Sequence, residues 1–182
     1  MTRVCGIGVV LVLLVGSAAW AAQEKQDFPN IKNFLRINDK LCTGGQPTLD
    51  DLAHLKAEGV KTILNLRQAS EFNFEEETAK AKELGLRYIH IPVNNADLKP
   101  EAVDEFLKAM DDPNSRPMFI HCHTANRVGA FWLVYRVVKD GWKLEDAEEE
   151  AKKVGLRNPA LRDFALEYIR THPKAPVKKE KP

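Results

Sequence analysis

The sequence predicts an α/β fold: a largely parallel central sheet flanked by helices, with a helical C-terminal part. Three observations predict it. Short runs of apolar and β-branched residues alternate with helix-length amphipathic segments, the pattern that builds a parallel sheet with helices packed on it. Residues 128–138 are apolar except for Gly129 and Arg136, and a helix that is apolar nearly all round is a buried one. Beyond it, residues 144–154 and 159–170 keep helical periodicity with no strand pattern between them.

In chain order, residues 1–22 read as a secretory signal peptide. Arg3 gives a positive start, residues 6–15 form an apolar run too short to span a bilayer, and Ala19-Trp20-Ala21 offers small residues at cleavage spacing. The expected location is therefore periplasmic or secreted, and an uncleaved membrane anchor is the rival reading. Residues 23–34 read as a polar N-terminal extension, residues 35–172 as the domain, and residues 173–182, rich in Pro and Lys, as a disordered tail. Residues 1–22 contain one base and no acid, so the rest carries 26 Lys and Arg against 26 Asp and Glu. That balance gives no argument for nucleic acid or an anionic membrane as partner. The roughly 160 remaining residues suit one domain, expected to be a monomer.

Within the domain, residues 34–37 and 40–43 read as two short strands around Asn38-Asp39. Thr48 caps a helix that carries Asp50 and Asp51 in its first turn and ends at Gly59. Residues 60–66 are a strand. Residues 71–84 form a helix, acidic first and basic last, closed by Gly85. A strand over 86–93 leads through a loop at 94–99 to a helix with Pro100 in its first turn. Residues 117–121 form the last strand, and the buried helix follows, stopping near Gly141. Asn158 caps the last helix, with Pro159 at its first position.

The chemistry gathers between the last strand and the buried helix, in Phe119-Ile120-His121-Cys122-His123-Thr124-Ala125-Asn126-Arg127. Ligands of parallel sheets bind beyond the carboxyl ends of the strands, which is where Cys122 falls. A loop wrapped around a helix N-terminus aims unpaired N–H groups at one point and makes an anion site. A cysteine there has its thiolate favoured, and an arginine at the loop's end supplies a planar fork for two oxygens of a tetrahedral oxyanion. The combination suggests covalent capture of a phosphoryl or similar group. The alternative is a buried strand-end cysteine and an arginine that pairs with a carboxylate.

These residues resemble the cysteine-dependent protein tyrosine and dual-specificity phosphatases. Within them they are similar to the small bacterial phosphatase-like domains of the beta-lactamase hydrolase-like group. The resemblance spans about residues 35–170. Its marks are Cys42-Thr43-Gly44-Gly45-Gln46-Pro47, Gly59-Val60-Lys61-Thr62-Ile63-Leu64-Asn65-Leu66-Arg67 with Glu71, His90-Ile91-Pro92-Val93, and His121-Cys122 with Arg127. It implies hydrolysis of phosphate monoesters, on a protein or a small molecule, through a cysteinyl-phosphate. Cys122 would be the nucleophile, Arg127 and the amides of His123, Thr124, Ala125 and Asn126 the oxyanion cradle, and His121 the residue that positions Cys122. No metal or organic cofactor is implied. Asp97, upstream of Cys122 in the 94–99 loop, is the candidate acid for the leaving oxygen, with a turn or capping role as its alternative.

Three departures set this chain apart from the usual motif. Four residues rather than five separate Cys122 from Arg127, the loop has no glycine, and Val128 stands where a Ser or Thr is usual. The shorter loop resembles that of rhodanese-type sulfurtransferases, so a Cys122 persulfide is the second enzyme reading. A non-catalytic oxyanion-binding module is the third. His121 and His123 could converge on a metal if both lay on the strand, but His123 already belongs to the loop. Arg67 and Glu71 read as a structural pair beside the site, with a role in binding substrate as the alternative. Cys42 and Cys122, both placed at strand ends on one sheet edge, are candidates for a reversible disulfide. The alternative is that Cys42 is a small buried strand residue.

Overall fold

The computed structural model describes residues 28–172. The segments read as signal peptide and C-terminal tail lie outside the described residues.

Among the described residues, five strands form one sheet in the order β1-β2-β5-β3-β4. They are β1 (Leu35–Asn38), β2 (Leu41–Gly44), β3 (Thr62–Asn65), β4 (Arg87–His90) and β5 (Met118–His121). Only the β1–β2 pair is antiparallel; β2–β5, β5–β3 and β3–β4 are parallel. The helices are α1 (Leu49–Ala57), α2 (Phe74–Glu83), α3 (Pro100–Asp111), α4 (Asn126–Val138), α5 (Leu144–Val154) and α6 (Pro159–Thr171). The succession of elements along the chain and the largely parallel sheet agree with the sequence reading. β5 lies in the middle because its Met118-Phe119-Ile120-His121 run is buried on both faces, which only a central strand allows.

Alternation along the strands divides the core in two. Leu41, Leu64, Met118 and Ile120 face α3, α4, α5 and α6, whereas Cys42, Ile63 and Phe119 face the side of α1 and α2. α4 is buried from Arg127 to Val134, as its composition requires. Each fully buried Phe or Leu there is worth about 1.5–3 kcal/mol. Gly129 allows α4 to meet the turn after α5: a Cβ at that position would lie 2.8 Å from Leu156 N and 2.9 Å from Ala151 O.

The strands read over 60–66 and 86–93 are shorter, Thr62–Asn65 and Arg87–His90, and two further boundaries differ from the sequence reading. Residues 28–34, read as part of a polar N-terminal extension, pack against the domain. Phe28 and Ile31 are buried in the α1–α2 side of the core. Glu71 does not begin a helix. Ala69–Glu71 form a single 3-10 turn, and α2 starts at Phe74 under the cap of Asn73, whose side chain accepts from Glu76 N. The Asn73 cap offers the helix a better start than Glu71, and Glu71 Oε1 instead accepts from Gln68 N at 2.9 Å.

Candidate active site

The parallel strands deliver four loops to one edge of the sheet: Gly45-Gln46 after β2, the segment through Glu71 after β3, residues 91–99 after β4, and the Cys122 loop after β5. The Cys122 loop is tied from outside. Its His123 carbonyl accepts from Gln46 N at 3.2 Å and its Thr124 carbonyl from Asn33 Nδ2 at 3.0 Å. Cys122 N donates to Gly44 O at 3.4 Å. In a planar trans peptide the carbonyl and the next N–H point opposite ways. With the two carbonyls held outward, the N–H groups of Thr124 and Ala125 turn to the loop's interior. The first helical bond of α4 runs from Gly129 N to Ala125 O, 2.8 Å. The N–H groups of Asn126, Arg127 and Val128 therefore have no carbonyl partner within the helix. The amides and the helix dipole converge on the space beside Cys122.

The loop reaches this shape without glycine. Ala125 has φ 62° and ψ 6°, a left-handed conformation that costs an alanine about 1 kcal/mol. Gly155 makes room for it: a Cβ on Gly155 would lie 3.0 Å from the Ala125 Cβ and 3.2 Å from the Thr124 carbonyl oxygen. From the other side Gly45 packs so closely that a Cβ would sit 2.9 Å from His123 O. Asn126 Oδ1 accepts from Arg157 N at 2.7 Å and Asn158 N at 2.9 Å, pinning the start of α4 to the turn between α5 and α6.

Arg127 is almost fully buried and firmly held. Nη1 donates to Glu71 Oε1 at 2.6 Å, Val93 O at 2.8 Å and Leu66 O at 3.2 Å, and Nη2 donates to Glu71 Oε2 at 2.6 Å. Glu71 thus occupies the end of the guanidinium, in the bidentate geometry that planar forks favour. Among the described residues no carboxylate or carbonyl occupies the other edge, formed by Nε–H and the second Nη2–H. Burial pushes the Arg127 pKa down, but the Glu71 hydrogen bond and the nearby Cys122 sulfur outweigh it and hold it above the ordinary value. The Arg127 hydrogen bond, against an opposing push from burial, brings Glu71 down to about 2. Arg67 adds to this, with Nε 3.6 Å from Glu71 Oε2, so the expected Arg67–Glu71 pair exists as the outer half of a triad.

A buried polar cluster lies beneath the loop. His121, fully buried, stacks on Phe119 and points its Nε2 at Glu77 Oε1, 3.2 Å away but not aligned as a hydrogen bond. Its Nδ1 has no partner among the described residues. Glu77 Oε1 accepts from Tyr88 OH at 2.5 Å and Asn65 Nδ2 at 3.1 Å, and Oε2 accepts from the Gln46 amide. Burial works to raise the Glu77 pKa; the His121 contact and the hydrogen bonds of Tyr88 and Gln46 prevail, and the net shift is downward. Gln46 is the connector: its side chain binds Glu77 and Arg67, and its backbone N–H holds the loop carbonyl of His123.

The sequence-predicted residues separate into three groups. Cys122, His123, Thr124, Asn126 and Arg127 line one cavity of about 550 Å³. Ala125 shapes the loop and His121 supports it from below. Asp97 is not brought to the cavity: it is exposed on its loop and pairs with Lys99 at 2.8 Å, while Asn95 of the same loop does line the cavity. Cys42 cannot serve as a redox partner as placed, which corrects the disulfide expectation. It lies opposite Phe119, not Cys122, because β2 runs two residues past it. Cys122 is three residues further on, about 10 Å along the strand at ~3.3 Å per residue, beyond the ~7 Å that a disulfide spans. The two thiols also belong to opposite faces of the sheet, and no disulfide joins them. Asn95, Arg157 and Asn158 were not anticipated as parts of the cavity, whereas Glu71, expected beside the site with Arg67, lines it. The bond of Glu71 to Arg127 was not foreseen, and Asn158 was legible only as a helix cap. His121 and His123 do not converge, since His121 faces Glu77 and His123 is exposed at the cavity.

Comparison with known proteins gives the following. The family model for a DSP-PTPase phosphatase fused to NAD+ kinase matches residues 19–166. The beta-lactamase hydrolase-like protein of Agrobacterium fabrum is 29% identical over 127 residues, 67% of this chain and 29% of that protein. The chain thus spans less than a third of that relative's length. The dual specificity protein phosphatase TpbA of Pseudomonas aeruginosa is 26% identical over 156 residues, 85% of this chain and 67% of TpbA. The crystal structure of a cysteine-to-serine form of TpbA in complex with phosphotyrosine superposes with a TM-score of 0.60 at 22% identity, covering 76% of this chain and 83% of that one. A protein of Shewanella putrefaciens CN-32 described as a phosphatase superposes with a TM-score of 0.67 at 23% identity, covering 80% and 97%. Below 25% identity these superpositions show a shared fold.

Proposed function

The chain belongs to the DSP-PTPase phosphatase family whose model it matches, and from that membership and its site we propose that it hydrolyses phosphate monoesters through a cysteinyl-phosphate. One observation carries the reading. Beside Cys122, Arg127 keeps one guanidinium edge for a ligand while Glu71 and two carbonyls fix the other, and the loop amides face the same space. The Cys122 thiolate attacks phosphorus and the ester P–O bond breaks. The three non-bridging oxygens rest on the Arg127 fork and on the amides of residues 124–128, which neutralise the charge that develops. The leaving oxygen takes a proton, and water then cleaves the S–P bond, releasing inorganic phosphate and the thiolate. Asp97 is our candidate for the acid. Its support is its place in a loop that reaches the cavity at Asn95; the Lys99 contact would have to be exchanged for the substrate.

TpbA is a dual specificity protein phosphatase, and one of its forms has been seen with phosphotyrosine, which supports phosphotyrosine as a substrate here. Sulfur transfer is less favoured, because family and structural relatives are phosphatases. The mass of Cys122 decides. After incubation with para-nitrophenyl phosphate and rapid acid quench, a phosphoryl adduct that Cys122→Ser abolishes is expected. One added sulfur after thiosulfate, with thiocyanate formed from cyanide, would replace this reading with a sulfurtransferase. Bound phosphate without either adduct would leave an oxyanion-binding module.

We further propose that the protein is exported and works as a monomer. The support for export is the residue pattern of 1–22, and for a monomer that the remaining residues suffice for one domain with its own core. The mature protein should begin at Ala22 or Gln23; a chain retaining Met1 in the cytoplasm would refute export.

A further inference from the structure

The cavity over Cys122 is bounded by the Arg157-Asn158-Pro159 turn, and the far side of that turn is a second depression of about 460 Å³ between α5 and α6. Glu148, Lys152, Leu156 and Arg162 complete it. Its walls are mostly apolar: Leu156, the Pro159 ring and the methylene stems of Lys152, Arg157 and Arg162. Two of its three cations are already matched, Arg162 by Glu148 at 2.6 Å and Lys152 by Glu149 at 3.0 Å. Arg157, at the junction with the Cys122 cavity, has no carboxylate partner among the described residues. Its Nη1 is instead fixed by the carbonyls of Lys152 and Leu156, so the guanidinium is oriented in advance with N–H groups to spare.

We propose that this groove is a subsite for residues that flank the phosphorylated one. The substrate is a phosphorylated polypeptide that sets a carboxylate on Arg157 and an apolar side chain between α5 and α6. The inference rests on the phosphatase reading and extends it to a substrate class. Three features select a polypeptide. The groove and the cavity share Arg157, Asn158 and Pro159 as a common wall, so a ligand held at Cys122 must be extended across that turn to use both. Its apolar lining gains nothing from a polyphosphorylated small molecule, whose every face is anionic or hydroxylated. The one unmatched cation sits where an extended chain would cross from one depression to the other, which suits a single carboxylate rather than a cluster of phosphates.

The test uses the full chain and phosphotyrosine peptides that differ only in the flanking residues, Glu and Leu in one and Gly and Lys in the other. Para-nitrophenyl phosphate serves as a substrate too small to reach the groove. The Glu/Leu peptide should have a kcat/KM at least tenfold above the Gly/Lys peptide. Arg162→Ala, which removes one wall and leaves Glu148 unmatched, should bring the two peptides together while para-nitrophenyl phosphate kinetics and the melting temperature stay unchanged. Arg157→Ala should lower kcat/KM for peptides carrying Glu more than for the same peptides carrying Gln. Equal kcat/KM for the two peptides in the wild type, alongside intact hydrolysis of para-nitrophenyl phosphate, overturns the groove and spares the phosphatase. A soluble inositol polyphosphate preferred over every peptide by more than tenfold does the same. No hydrolysis of para-nitrophenyl phosphate by the wild type overturns both.

Discussion

Glu71 and Arg127 show how a single side chain can be both structural and available. One guanidinium edge is saturated and the other is offered, so a substrate meets a donor pair already oriented. Arg127→Lys keeps the charge and loses the fork, and should lower kcat/KM by roughly a hundredfold or more. Unchanged kinetics in that variant would take Arg127 out of the site. Glu71→Gln should reduce kcat/KM less, by about tenfold, because Arg127 stays but loses its anchor. The same pair makes a prediction in acid. The folded pKa of Glu71, about 2, lies below its ordinary 4.5. Its stabilisation is therefore full above about pH 4.5 and is lost as the pH falls toward 2. Wild-type melting temperature should fall across that window more steeply than that of Glu71→Gln; parallel curves would show that the pair adds nothing to folding. Cys122 and Arg127 were legible in the sequence because their spacing across a strand-to-helix junction is local. Glu71 was not, because its role depends on Asn73 taking the helix cap, a competition between two plausible starts three residues apart.

At the scale of elements, α4 behaves as the hub that its composition announces, and the glycine that looked like an interruption is a contact. Gly129→Ala would force a methyl group onto backbone atoms of residues 151 and 156 that cannot rotate away. Such overpacking costs about 1–3 kcal/mol, and the shift would reach the Cys122 loop through the Asn126 bonds to Arg157 and Asn158. Activity should therefore fall in Gly129→Ala even at temperatures where circular dichroism shows the protein folded; full activity there would disconnect the α5–α6 turn from the loop. Hydrophobic patterning, together with cap and breaker residues, located the five strands and six α-helices of the described residues though not the two 3-10 turns, since these signals are properties of the segment itself. Register between strands is not such a property. Placing Cys42 at the end of its strand, two residues short of where β2 stops, was enough to suggest a disulfide that the sheet forbids.

Over the whole molecule, the domain begins earlier than periodicity suggested. Phe28 and Ile31 are isolated apolar residues in a polar stretch, with no repeat to mark them, yet they fill the core on the α1–α2 side. Asn33 then reaches the Thr124 carbonyl. Ile31→Ala should cost about 2–4 kcal/mol, measured by urea denaturation. A cost within experimental error would mean that residues 28–34 decorate the fold without supporting it. Asn33→Gly, by contrast, keeps the left-handed φ of 51° without strain and should slow turnover more than it lowers stability, because it frees a carbonyl whose direction orients the loop's amides.

The central place of β5 has one more consequence. A strand paired on both sides and covered on both faces has no route to local opening, so its backbone amides should exchange with solvent only when the entire chain unfolds. Cys122 hangs from that strand. Warming should not produce a folded population with a melted site, nor a surviving site in a frayed protein. Deuterium uptake at residues 118–121 and the loss of turnover should follow one curve, and residual activity after heat stress would then count native molecules.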